Sequence, residues 1–112
     1  MDVLSQEAPL PWLVMDRWGI IREVSEAAAA LLHMPPAWVI HKPLVSFLPA
    51  QERYAFRALL HRLVHGEQPP QWRGYLQPRQ RPPLPVILTV SMLPSAHVLQ
   101  PLFVWHVRQN PL

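Results

Sequence analysis

Cysteine is absent from the 112 residues, which excludes disulfide bonds, thiolate metal sites and cysteine nucleophiles. Glycine occurs only three times against fifteen prolines, so the turns have to be built from rigid rather than permissive residues. The prolines gather at 35 and 36, at 69 and 70, and at 82, 83 and 85, where they punctuate loops. Charge is scarce as well: charged residues make up 15% of the chain, well under the usual share of about a quarter. A net charge of +3 with a pI near 10.2 is mild basicity, short of a nucleic-acid footprint. No apolar run approaches the roughly 18 residues of a membrane span. The opening MDVLSQEAP lacks the basic start of a signal peptide. A single cytoplasmic domain with no membrane contact is the expectation, divided as an N-terminal cap (1–11), a core domain (12–108) and a short tail (109–112).

What the chain does contain is organised around PAQERYAFRALLHRLVHG, residues 49–66. Phe56, Leu59, Leu60 and Leu63 recur at the i, i+3, i+4, i+7 spacing that lays them on one stripe of a helix, while Arg57, His61 and His65 fall on other faces. Pro49 suits a first helical position, where its missing N–H is no loss, and Gly66 supplies a left-handed terminator. Upstream, Trp12–Asp16 and Ile20–Ser25 read as a hairpin turning at Arg17-Trp18-Gly19. Ser25 can cap a helix over Ala27–Leu32, and Pro35-Pro36 stops it. Two short helical pieces, Ala37–Ile40 and Leu44–Phe47, flank Lys42-Pro43.

Beyond Gly66 the period changes to two. Gln71–Gln77 reads as a strand led by Trp72, and Leu84, Val86, Leu88, Val90 and Met92 alternate with Pro85, Ile87, Thr89 and Ser91. A last strand over Val98–Arg108 carries Phe103, Trp105 and Val107 on one face and Leu102, Val104 and His106 on the other. This order predicts an α+β fold: a five-stranded antiparallel sheet with short helices and one long connecting helix on one face.

Four stretches, LVMDRWGIIREVSEAAAALL, PPAWVIHKPLVSFLPAQER, LPVILTVSML and LFVWHVR, resemble a PAS domain in collinear order over nearly the whole chain. Leu48-Pro49 followed by Glu52-Arg53 is similar to the start of that family's connecting helix. The resemblance implies a sensory or protein-interaction module of a signal-transduction system, two-component or transcription-regulatory. It implies action by dimerisation, with an output domain or signalling partner, and no enzyme activity. It also implies that the outer sheet face and the N-terminal cap pair between copies, which nominates Val3, Leu4, Leu102 and Val104. An alternative is a small-molecule sensor whose helix-to-sheet cavity is lined by Trp38, Phe47, Phe56, Leu60, Leu88 and Trp105.

The departures from the family pattern carry expectations of their own. His33 and His41 stand where the family often has glycine, so those turns are expected to be rebuilt. Ser25 replaces a frequent asparagine, PRQRPPLP replaces a tight Asp-Gly hairpin, and Gln109-Asn110-Pro111 stands in place of the Asp-x-Thr that links many such sensors to an output helix. Without cysteine a flavin photoadduct cannot form, and Phe56 occupies the place where haem sensors of this kind carry histidine. Non-covalent flavin or a metabolite stays open, beside a filled core with no cofactor. Among rival classes, a metal-dependent enzyme would rest on His61 and His65 at i, i+4, with no third ligand. Direct nucleic-acid binding would rest on Arg73, Arg79 and Arg81 beside Trp72 and Tyr75, on an exposed hairpin without a reading helix. His33, His41, His97 and His106 are scattered surface residues in this reading.

Overall fold

The computed structural model describes residues 10–67, 71–93 and 101–111. Strand β1 (Trp12–Asp16) and β2 (Ile21–Val24) form the hairpin, followed by α1 (Glu26–Leu31), α2 (Pro36–Val39), a 3₁₀ turn at Leu44–Phe47 and α3 (Ala50–Val64). Strands β3 (Trp72–Leu76), β4 (Leu84–Leu93) and β5 (Leu102–Gln109) complete one antiparallel sheet in the order β2-β1-β5-β4-β3. The α+β arrangement expected from periodicity is the one found.

Helix ends follow local chemistry. The Ser25 hydroxyl accepts from Ala28 N–H at 3.1 Å, capping α1, and from Trp12 N–H at 3.0 Å, so one oxygen both starts a helix and ties it to the first strand. At the far end of α3, Gly66 N–H donates to Leu63 C=O and Glu67 N–H to Arg62 C=O, both at 3.0 Å. With Gly66 at φ +90° this is a Schellman ending. Pro49 stands one position earlier than expected, as the N-cap.

The predicted stripe of α3, Phe56, Leu59, Leu60 and Leu63, is buried in a single core with Leu13, Met15 and Ile21 of the hairpin and Leu88, Phe103, Trp105 and Val107 of the sheet. Burying four such side chains contributes roughly 6–12 kcal/mol as an upper bound. A helix of this length is marginal alone, so the sheet holds it.

Two expected turns are not rebuilt. His33 and His41 adopt the left-handed backbone that glycine would take, at φ 57° and 74°. Each is held there through its own backbone N–H: His33 N–H donates to Ala30 C=O at 3.0 Å, and His41 N–H donates to Ile21 C=O at 2.7 Å. The long β3–β4 connection does replace a tight hairpin. It is held by Arg79 N–H donating to Leu32 C=O at 3.1 Å and Gln77 Nε2 donating to Arg81 C=O at 2.7 Å.

Both sheet edges are occupied by the chain itself. Along β3, Tyr75 N–H donates to Glu52 Oε1 at 2.9 Å, and just past its end Gln77 N–H donates to Phe47 C=O at 2.6 Å. Beside β2, Ile21 N–H donates to Lys42 C=O and Leu44 N–H to Gly19 C=O, each at 2.9 Å. Capped edges resist strand addition.

Candidate functional site

Five of the six residues predicted to line a helix-to-sheet cavity meet in the interior. Phe47, Phe56, Leu60, Leu88 and Trp105 are all buried in the one core cluster. Trp38 does not join them. It is 55% exposed on α2, with the Arg79 guanidinium 5.8 Å from its ring centre. The reason is the phase of a four-residue helix: Val39 fills the inward position and is fully buried, which turns its neighbour to solvent.

The interior is a line of aromatic contacts. Phe56 lies 5.5 Å from Trp105 at 45°, and 5.9 Å from Trp72 in an edge-to-face arrangement. Trp72 in turn lies over Gly74, two residues along β3 on the same face, where an added Cβ would press on the indole. Trp105 is fully buried, and its Nε1 has no hydrogen-bond partner among the described residues.

The outer sheet face carries Trp12 and Val14 of β1 opposite His106 and Val104 of β5, with Leu102 opposite Asp16. Leu102 and Val104 are half-buried, on the side away from Phe103 and Trp105. Val3 and Leu4 lie outside the described residues, as does His97.

The rival constellations come out as follows. His61 and His65 stack at 4.2 Å between ring centres, and His65 Nδ1 donates to His61 C=O at 2.8 Å, which commits that nitrogen to the helix end. No group of three or more His, Asp or Glu placed to hold a metal ion occurs among the described residues. The Arg and aromatic set does not form one surface, because Trp72 faces α3 while Arg73 and Tyr75 stand exposed on the alternate face and Arg79 packs on Trp38. No helix among the described residues is long and apolar enough to cross a membrane.

Sequence reasoning missed Asp16, which is 3% exposed. Its Oδ1 accepts from Trp18 N–H at 2.9 Å and Ile20 N–H at 3.0 Å, and its Oδ2 meets Arg22 Nε at 3.0 Å and the terminal guanidinium nitrogen at 2.9 Å. An Asp at the start of a turn was the available signal. Surface clefts among the described residues lie around this core, and of the six expected residues Leu60 borders one, beside Arg17, Trp18 and Arg57.

A five-stranded antiparallel sheet of this strand order, with its helices on one face and a long helix crossing an aromatic core, defines an α+β module. The family model for the PAS fold matches residues 1–106, and the chain belongs to the PAS family. Among solved structures, the chain is similar to a PAS domain from Desulfitobacterium hafniense at 13% identity and TM-score 0.76, over 97% of this chain and 100% of that one. It is similar to the PAS domain of an HTR-like protein from Haloarcula marismortui at 17% identity and TM-score 0.74, over 96% and 86% of the two chains. A third is the PAS domain of the quorum-sensing receptor RpfR from Cronobacter turicensis in complex with BDSF, at 14% identity and TM-score 0.68, over 89% and 94%. Comparison with curated proteins returns no match.

Proposed function

We propose that this chain is a sensory and protein-interaction module that works as a homodimer and passes its state to an output domain or a signalling partner. The observation that carries the reading is the contrast between the sheet's edges and its outer face. The edges are capped by Glu52, Phe47, Lys42 and Leu44, whereas the outer face of β1 and β5 offers the half-buried Trp12, Leu102 and Val104 with no helix of the described residues over them. A second copy meeting this face would bury apolar surface, and a two-fold pair is the commonest way proteins do so. The proposed module needs neither a cofactor nor a catalytic group. Sedimentation at micromolar concentration tests the dimer: the parent is expected to run as a dimer and Val104→Asp as a folded monomer. A parent that stays monomeric would remove this reading.

A second reading, a small-molecule sensor, is favoured by one observation. Trp105 Nε1 is a buried donor without an acceptor among the described residues, an arrangement that ordinarily costs stability and that a ligand carbonyl or carboxylate would relieve. The close packing of Phe56 on Trp105 and Trp72 supports a filled core instead, and that is the reading adopted.

A further inference from the structure

The β1–β2 turn holds an exposed indole and a guanidinium rigidly beside α3. Asp16 anchors the turn through Trp18 and Ile20, Gly19 N–H donates to Asp16 C=O at 3.0 Å, and Leu44 N–H donates to Gly19 C=O at 2.9 Å. Gly19, at φ +82°, rests on the helix so closely that an added Cβ would lie 3.1 Å from Leu60 Cδ2. Turn and helix flank an open groove of about 350 Å³. Leu60 and Val64 form its apolar base, Trp18, 62% exposed, lines it from the turn, and Arg17, Arg57 and His61 border it. His65 completes the border, with Nε2 as its remaining polar atom once Nδ1 has donated to His61.

Among the described residues no carboxylate lines this groove. Asp16 is buried and paired with Arg22, and Glu67 is paired with Arg62 at 3.4 Å. Arg17 stands 5.6 Å from the centre of the Trp18 ring. Tryptophan and arginine around an apolar base are the residue types in which interfaces concentrate their binding energy. Two arginines, with no acidic group among the described lining residues, select for negative charge in the partner. The groove is also open, unlike the enclosed pockets that bury most of a small ligand.

We propose that this groove docks an acidic segment of a partner protein, its carboxylates meeting Arg17 and Arg57 and one bulky apolar side chain lying between Trp18, Leu60 and Val64. The proposal extends the interaction reading to a second surface, and it stands or falls separately from the dimer because it uses neither Leu102 nor Val104.

The test is fluorescence anisotropy at low salt with a fluorescein-labelled peptide of alternating Asp and Glu around a central Leu-Phe pair. The acidic peptide is expected to bind, and the same peptide with Lys for every acid is not. Trp18→Ala and Arg57→Glu should each weaken binding by about tenfold or more. Both side chains are exposed, so circular dichroism and thermal midpoint should stay at parent values. Arg73→Glu, a charge reversal of the same size on the outer sheet face, should match the parent apart from a small loss from long-range attraction. Val104→Asp should bind as the parent does, whatever its oligomeric state. Undetectable binding of the acidic peptide, equal binding of the lysine peptide, or equal losses from Arg73→Glu and Arg57→Glu would overturn the proposal. So would tighter binding of a single-stranded oligonucleotide of equal charge that is lost in Trp18→Ala.

Discussion

Phe56 and Trp105 meet ring to ring at 5.5 Å, and through this contact the long helix α3 is seated on β5, the strand between β1 and β4 in the sheet. Both rings are essentially without solvent contact. Phe56→Ala should therefore open a void and destabilise the protein by about 3–5 kcal/mol, read by urea unfolding. A loss within about 1 kcal/mol would mean that the space beside Trp105 already exists, and would favour the sensor reading over a filled core.

Gly74 offers a test in which local propensity and packing disagree in sign. Alanine in a strand interior is ordinarily better than glycine by roughly 0.5–1 kcal/mol. Here a Cβ would press on the Trp72 indole and lie 2.7 Å from Glu52 Oε1, the acceptor for Tyr75 N–H. Gly74→Ala is expected to destabilise by about 1–3 kcal/mol, the usual cost of overpacking. Equal or greater stability in chemical denaturation would show that Trp72 has another place to go.

His33 carries a side chain in a backbone conformation that disfavours one. His33→Gly should stabilise by up to about 1 kcal/mol, since the left-handed penalty for a Cβ exceeds the extra unfolded-state freedom of glycine. His33→Val should destabilise by about 1–2 kcal/mol, because β-branching makes the same conformation worse. Thermal unfolding of the two variants should thus straddle the parent. The same order is expected at His41, where φ is 74°.

Asp16 is the anchor of the hairpin turn. Asp16→Ala would remove the acceptor of two turn amides and the partner of Arg22 together. The Arg22 side chain is 45% exposed and can turn to water, so most of the loss comes from the stranded amides. A destabilisation of about 2–3 kcal/mol is expected, with amide exchange at Trp18 and Ile20 accelerated. Asp16→Asn keeps one carbonyl acceptor and should recover part of it.

The sequence by itself determined the elements and most of their ends. Phe56, Leu59, Leu60 and Leu63 announce their stripe through spacing alone, Ser25 and Gly66 cap through atoms three or four residues away, and Phe103, Trp105 and Val107 alternate as a half-buried strand must. Such signals are local, so any chain with these residues in this order carries them. The tertiary structure alone decided which residues of different elements meet. Trp38 lies outside because a four-residue helix has one inward position and Val39 takes it. Gly74 is required because an indole from its own strand lies over it, once α3 has covered that face. His33 and His41 keep a glycine conformation because hydrogen bonds to Ala30 and Ile21 outweigh the local preference of the side chain. Arg17 and Trp18 read in sequence only as a turn, and they border a basic groove because Gly19 lets that turn rest against Leu60, some forty residues along the chain. No period or cap records that meeting, since its energy comes from packing between segments that are distant until the sheet has formed.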